Sequence, residues 1–441
     1  MSEILVLGAG LVAGPLVSYL LNVEGFHVTV ASRTVSKAEA LIGDAPNGRA
    51  RPVDVDNEQA VDRLVSEADL AISLLPYVYH PMVARLCVDH RIPMVTTSYV
   101  KDEMQALDRA ARDAGVILLN EIGVDPGIDH MSAMAVIDAV KDEKGQIVGF
   151  ASNTGGLPAP EANTNPLGYK FSWAPRGVLL AGRNPARFLR GGSVIDVPGP
   201  ELFAHHWETE IAGFGTLEVY PNRDSLPYIE RYGIEGVRDM FRGTLRYPGW
   251  CDTLRGIVAL GYLDDAPRDD LDEMTYARLM RAQVGGVAGD LEAAVASRLS
   301  VDPASKVVSD LRWLGLFSEE SVPDGVPTAL DALAHQMLAK MRYAPGERDL
   351  LVMQHEFDVE YPGRRERITS TMIDYGIPGG ASSMSRTVGL PAAIAARLIL
   401  QGEIDLAGVQ VPVVPAIYRP VLDELAELGI RFRETREEVP S

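Results

Sequence analysis

The stretch that most restricts the fold lies at the start of the chain. Ile4-Leu5-Val6-Leu7 is a short apolar run, Gly8-Ala9-Gly10-Leu11-Val12-Ala13-Gly14 follows it, and Leu16, Leu20 and Leu21 then recur at helical spacing. Strand, glycine turn and helix in that order make the dinucleotide-binding fingerprint of a βαβ unit. Gly8 permits the tight turn, Gly10 lets backbone approach a pyrophosphate, and Ala13, at the third small position, lets the helix pack close to the strand. N–H groups at the helix start then hold the phosphate. Small-residue turns follow many buried strands, so the turn alone is weak evidence. Its weight comes from the strand before it and the βα repeats behind it.

Those repeats are short apolar segments at residues 4–7, 28–31, 51–55, 70–74, 94–97 and 116–120. Their near-continuous apolar character suits strands covered on both faces, with room for crossover helices between them. Thr34 and Ser36 can cap a helix over 37–41, and Asp56 one over 59–65. The pattern predicts an α/β fold: a Rossmann domain with a doubly wound parallel sheet over 1–124, completed by C-terminal helices in 386–441. After Asp125-Pro126-Gly127 the texture changes. Gly and Pro are frequent from 155 to 249, and short alternating segments at 194–197 and 216–219 predict a mixed α/β second domain over 125–252 and 346–385. Residues 253–345 carry almost no strand signal, and helical spacing at 276–284, 291–299, 304–316 and 329–341 predicts an all-helical insert. Strands resume at 350–361 and 366–375 around Pro362-Gly363, a hairpin signature. Helices are expected at 391–400 and 419–428, and the charged segment 431–438 as a solvated strand or frayed tail.

Composition narrows the partners. The 441 residues are 46% hydrophobic and 23% charged, enough to build more than one core. With 41 Lys+Arg against 61 Asp+Glu, a formal charge of -20, the surface repels phosphate backbones and anionic lipid, which argues against nucleic acid and membranes. Glu3 stands where a signal peptide would be cationic, and the apolar run 389–400 is broken by Pro391 and Arg397. Only Cys87 and Cys251 occur, which fits a reducing, cytoplasmic setting. Cys87 reads as core; Cys251 reads as packing or as a thiol facing a site. There is no GxxxxGK[ST], HExxH or CxxC, and the eight histidines show no ligand spacing, so no metal is expected.

The end of the second strand separates NAD from NADP, because NAD sites place a carboxylate there. Here Ser32-Arg33-Thr34 offers a planar cation and two hydroxyls, which suits a 2′-phosphate. The alternative is a surface arginine beside a helix cap. Leu74-Leu75-Pro76 and Thr97-Ser98-Tyr99 end the next strands, and in such sheets ligands sit beyond carboxyl ends, so these tips are expected to line the nicotinamide half. Tyr99 and Asp125 are ionisable groups that can handle the protons of a carbonyl, carbinolamine or imine. Tyr99 can equally be packing, and Asp125 a turn former. In so acidic a chain, Arg223 in Tyr220-Pro221-Asn222-Arg223-Asp224-Ser225 and Arg246 in Gly243-Thr244-Leu245-Arg246-Tyr247-Pro248 stand out as carboxylate clamps, with Arg176 as a third candidate. Surface ion pairs are the competing reading for each.

With these residues in view, the chain resembles saccharopine dehydrogenases of the NADP-dependent, L-glutamate-forming type, also called saccharopine reductases. The resemblance is carried by Gly8-Ala9-Gly10-Leu11-Val12-Ala13, Thr97-Ser98-Tyr99, Asp125-Pro126-Gly127-Ile128-Asp129-His130, Gly155-Gly156-Leu157-Pro158-Ala159-Pro160-Glu161 and Asn165-Pro166-Leu167-Gly168-Tyr169-Lys170-Phe171-Ser172-Trp173. It continues through both arginine motifs to Asp374-Tyr375-Gly376. It implies joining L-2-aminoadipate 6-semialdehyde to L-glutamate as an imine and reducing that with NADPH to saccharopine, or the reverse. It also implies substrate contacts at Ser98, Tyr99, Asp125, Arg223, Thr244, Leu245, Arg246 and Tyr247, and cofactor contacts at Leu11, Val12, Ala13, Ser32, Arg33, Thr34, Asp54, Val55 and Ser172. A homodimer formed through the second domain is part of the same expectation. One departure stands out: Thr154 precedes Gly155-Gly156 where the family often has Cys. No thiol transfers a proton there, and orientation of the reactants carries more of the catalysis.

Two alternatives remain open at this point. One keeps the imine chemistry and changes the product to a carboxylated polyamine or an opine. The other, from a different class, is a non-catalytic NADP-responsive regulator; Tyr99, Asp125 and the arginines, all present, argue against it.

Overall fold

The computed structural model describes residues 1–173 and 175–439, so positions 440–441 of the expected C-terminal segment fall outside the described residues. Two compact units form: Met1–Gln146 with Met372–Arg433, and Ile147–Thr371 with Glu434–Ser441.

In the first unit, β1 (Ser2–Leu7), α1 (Ala13–Leu21), β2 (Phe26–Ser32), α2 (Val35–Ile42), β3 (Gly48–Pro52), α3 (Glu58–Ser66) and β4 (Leu70–Ser73) alternate along the chain. They lead on to α4 (His80–His90), β5 (Met94–Thr96), α5 (Asp102–Gln105), α6 (Asp108–Ala114), β6 (Ile117–Leu119) and α7 (Ile128–Asp142). Among the described residues the sheet order is β3-β2-β1-β4-β5-β6, extended by a short strand, Gly408–Gln410, beside β6. Every pairing is parallel. This is the doubly wound arrangement with its order reversing at β1, the place where such sheets bind ligands. Ile4, Leu5, Val6 and Leu7 are all buried because both faces are covered, which is why the strand lacks polar alternation. Cys87, on α4, sits in the core with Leu5 and Leu7.

Three sequence expectations shift. Asn57, not Asp56, caps α3, its side chain accepting from Ala60 N; the Asp56 carboxylate is taken by the Tyr79 hydroxyl at 2.7 Å. The first unit runs past residue 124, because α7 packs on the helix Pro415–Glu427, with Tyr418 Oη donating to Asp138 at 2.7 Å. The helix expected from 391 starts at Ser383, capped by Ser382, and runs through Pro391 to Leu400. It tolerates the proline because its burial against α1 outweighs one lost hydrogen bond. At Gly389 that packing is tight: a Cβ there would stand 2.8 Å from the Val12 carbonyl oxygen.

The second unit is built on β7 (Gln146–Pro158), β8 (Ala186–Arg190), β9 (Ser193–Val197), β10 (Trp207–Ile211), β11 (Gly215–Pro221), β12 (Asp239–Arg246), β13 (Asp349–Tyr361) and β14 (Arg364–Tyr375). The sheet is mixed, with β7 parallel and β11 antiparallel to β12. The largely exposed strand Phe432–Val439 closes the edge beside β14. The helices Tyr276–Gln283, Leu291–Leu299, Lys306–Leu314 and Ala329–Lys340 lie in this unit and are capped by Thr275, Asp290, Ser305 and Thr328. Each cap accepts a first-turn N–H, a signal written in the sequence.

Candidate active site

The glycine turn has the shape its sequence implies. Gly8 has φ +110, and a Cβ there would meet the Leu74 carbonyl oxygen at 3.0 Å, so both its conformation and its space require glycine. Its N–H donates to Ala31 O at 2.9 Å. No atom lies within 4 Å of a Cβ built on Gly10, Leu11 is 74% exposed, and Val12 at the N-cap of α1 uses no side chain to satisfy the first turn. Ala13 is buried against the strand. Open backbone N–H groups at a helix start, with nothing occupying the approach, fit a pyrophosphate.

Ser32 pairs with Pro52, so the loops bearing Arg33 and Asp54-Val55 leave the sheet side by side. Ser32 Oγ accepts from Thr34 N at 3.3 Å, and Arg33 and Thr34 are exposed. Asp54 turns its carboxylate to Asp56 N at 3.2 Å, and Val55 is half-buried. The guanidinium therefore stands exposed at the strand tip, the arrangement a 2′-phosphate uses. A groove of about 950 Å³ runs along α1 and the helix Ser383–Leu400. It touches the turn only at Gly10 and Leu11, away from the strand tips, and is lined mostly by apolar atoms.

Beyond β4 and β5 lies a cavity of about 450 Å³ lined by Tyr77, His80, Tyr99, Lys101 and Asn120. Leu75 is half-buried and Pro76 exposed at its approach. His80 was not singled out by its sequence context, yet it ties the tips together. Its Nδ1 is 2.9 Å from Ser73 Oγ and its Nε2 is 2.8 Å from Ser98 Oγ, with Thr96 Oγ1 at 3.3 Å. Burial pushes this imidazole down to about 4, so at neutral pH one ring nitrogen donates and the other accepts. Tyr99 Oη donates to Asp125 Oδ1 at 3.0 Å, which brings the two expected acid–base residues together. Lys101 Nζ sits 3.5 Å above the Tyr77 ring.

In the second unit, register aligns Thr154 on β7, Thr244 on β12 and Tyr220 on β11, and Arg246 follows two residues along the same face. Arg246 is 6% exposed, with its guanidinium 4.9 Å from the Tyr169 ring and 5.6 Å from that of Trp250. Nη1 donates to Leu245 O at 2.7 Å, while among the described residues Nε has no partner, and neither does the buried Thr154 Oγ1. Tyr220 is pushed up to about 12 by burial, against the opposing pull of Arg246. Glu218 is its register partner across the strands, with its carboxylate taken by Gly249 N and Cys251 N, and an incoming anion would give the buried guanidinium a further acceptor. Tyr247 Oη donates to Pro158 O at 3.1 Å. The Leu245 side chain is fully buried, which leaves only its main chain for a ligand.

Arg223 is exposed, with φ +57 and its carbonyl oxygen accepting from Arg187 N at 2.9 Å. Ser172 is half-buried. Arg176 is paired with Asp331 at 2.7 Å, the surface ion pair that competed with a clamp. Both cysteines are buried and burial pushes both thiols up, so Cys251 is packing. Among the described residues no group of His, Cys, Asp and Glu is placed to hold a metal ion, and no helix is long and apolar enough to cross a membrane.

Two family models match. The saccharopine dehydrogenase NADP binding domain covers residues 4–119, and the saccharopine dehydrogenase C-terminal domain covers 123–430. The saccharopine dehydrogenase [NADP(+), L-glutamate-forming] of Schizosaccharomyces pombe is 42% identical over 446 residues, 98% of this chain and 99% of that protein. The protein of the same name from Pyricularia oryzae is 40% identical over 98% of each chain. The solved apo structure of the L-Glu-forming saccharopine dehydrogenase from Saccharomyces cerevisiae superposes with a TM-score of 0.92 at 37% identity, covering 99% of this chain and 100% of that one.

Proposed function

The chain belongs to the saccharopine dehydrogenase family, and on that footing we propose that it is an NADP-dependent oxidoreductase interconverting saccharopine with L-glutamate and L-2-aminoadipate 6-semialdehyde. The polyamine or opine reading and the regulator reading are not favoured by these relatives. The observation that carries the substrate class is Arg246. It is a buried guanidinium whose Nε has no partner among the described residues, lying against the paired rings of Tyr169 and Trp250, and saccharopine brings three carboxylates.

NADP(H), when bound, supplies or removes the hydride. The glycine turn at Gly8, Gly10, Leu11, Val12 and Ala13 would hold the pyrophosphate on backbone N–H groups. Ser32, Arg33 and Thr34 would hold the 2′-phosphate, with Asp54, Val55, Leu75, Pro76 and Ser172 as the further contacts. Arg246 and Thr244 orient a carboxylate, and Arg223 meets another. Tyr99, bonded to Asp125, moves the protons. In the reductive direction the glutamate amine adds to the aldehyde, a proton delivered to the carbinolamine oxygen releases water, and the imine carbon then accepts hydride as the nitrogen keeps or takes up a proton. With Thr154 where a thiol would stand, no thiol moves a proton there, and holding the reactants in line contributes much of the rate.

The same reading has the enzyme working in the cytoplasm, where its two thiols stay reduced, and as a homodimer through the second unit. It also assigns substrate binding to the second unit, with 253–345 as its helical insert. The decisive experiment is NADPH oxidation with 2-aminoadipate semialdehyde and individual amino acids. Selective turnover with glutamate supports the assignment, and equal or greater turnover with a polyamine overturns it.

A further inference from the structure

We propose that Glu121, Asp129 and His130 form a buried positioning cluster that holds Tyr99 and Asp125 at bonding distance, so that His130 acts on the reaction through those two residues.

Glu121 brackets Tyr99. Its N–H donates to Ser98 O at 3.1 Å, and its Oε1 accepts from Val100 N at 2.9 Å, so both main-chain neighbours of Tyr99 are fixed by one residue. To do this it holds φ +57, in the region that favours glycine. Asp129 does the same for Asp125. Its Oδ1 accepts from Gly127 N at 2.6 Å and its N–H donates to Val124 O at 3.1 Å, which pins the turn on both sides of Asp125-Pro126. His130 stands between the two carboxylates. Its Nε2 is 2.8 Å from Glu121 Oε2, and its Nδ1 is 3.7 Å from Asp129 Oδ2.

All three side chains are at most 1% exposed. Buried ionisable groups are expensive to keep, and these three line neither the cavity beyond β4 and β5 nor the glycine turn. What they share is the pair of loops whose tips meet in the Tyr99–Asp125 hydrogen bond. Small errors in such a pair are costly, since proton transfer needs donor and acceptor held within a fraction of an ångström. The role rests on the assignment of Tyr99 and Asp125 to the reacting atoms.

The test is a double-mutant cycle in the full-length enzyme, with saccharopine and NADP as substrates. His130→Asn, whose amide is too short to reach Glu121, is expected to lower kcat at least tenfold, with KM for saccharopine and NADPH affinity within threefold of wild type. His130→Gln, which can still donate to Glu121, is expected to keep at least a third of the wild-type kcat. In a Tyr99→Phe background the His130→Asn change is expected to cost less than twofold more. Glu121→Asp, which cannot reach Val100 and His130 together, gives the same comparison if His130→Asn does not fold. Losses that multiply with that of Tyr99→Phe, or a wild-type kcat in His130→Asn, overturn the positioning role alone. A wild-type enzyme that does not turn over saccharopine overturns the assigned reaction and this role with it.

Discussion

His80 Nε2 and Ser98 Oγ lie 2.8 Å apart, and the far side of the same ring reaches Ser73, so one imidazole spans the ends of β4 and β5. A hydroxyl expected to touch substrate therefore has its direction set by a histidine that burial keeps neutral. Burial holds the folded ring at about 4 against an ordinary value of 6.5. Between those values the unfolded chain takes up a proton that the folded chain refuses, so stability falls as pH drops from 6.5 towards 4, by an amount of order 3 kcal/mol. In His80→Gln that contribution is absent. Its Tm is expected to fall less than that of wild type between pH 7 and pH 5, and parallel curves would remove His80 as the source.

Arg33 is expected to decide between the two nicotinamide cofactors. Arg33→Ala should weaken NADPH binding by about 1.5–3 kcal/mol, the scale of a hydrogen bond to a charged group, and leave NADH almost untouched. Titration calorimetry with both cofactors reads this directly. An equal loss for NADH would mean that the loop itself has changed.

Tyr99→Phe removes the donor of the 3.0 Å bond between them, and Asp125→Asn keeps an acceptor oxygen but loses the carboxylate that can take up a proton. Both are expected to lower kcat by about a hundredfold while NADPH affinity stays near wild type, since proton transfer contributes in the transition state. Stopped-flow single turnover separates that chemistry from product release. Unchanged rates would leave orientation as the whole of the catalysis.

For Arg246 the expected signature is in KM. Arg246→Ala should raise KM for saccharopine or glutamate by about tenfold or more. Lys at the same place should recover only part, because an ammonium cannot make the parallel fork. NADPH affinity should hold, as Arg246 is assigned to the substrate carboxylate and not to the cofactor. Intact kinetics in a folded Arg246→Ala protein would argue for a product with fewer carboxylates.

The first unit was legible because its signals are local. The run Ile4 to Leu7, the glycine turn and the apolar strand cores each follow from a few neighbouring residues, and so do caps such as Thr275 and Ser305. Tyr99 and Asp125 could be named separately, but nothing in the sequence says that they touch, since their meeting depends on how two loops leave adjacent strands. His80, Glu121 and His130 were missed for the same reason. Each looks ordinary in its own segment, and only the pairing of β4, β5 and β6 makes it a partner of a site residue. The helix through Pro391 misled in the opposite direction, since a strong local breaker was overridden by burial against α1.

Gly389 pressed against Val12 has a consequence for how this protein is made. A ribosome exposes residues 1–146 long before it has synthesised the helix that backs the glycine turn or the strand that lies along β6. In that interval one side of α1 and one edge of the sheet are bare, and the growing chain carries an unfinished nucleotide fold for the length of the entire second unit. A stop codon ahead of Ser382 is therefore expected to give an aggregation-prone fragment rather than a small NADP-binding protein.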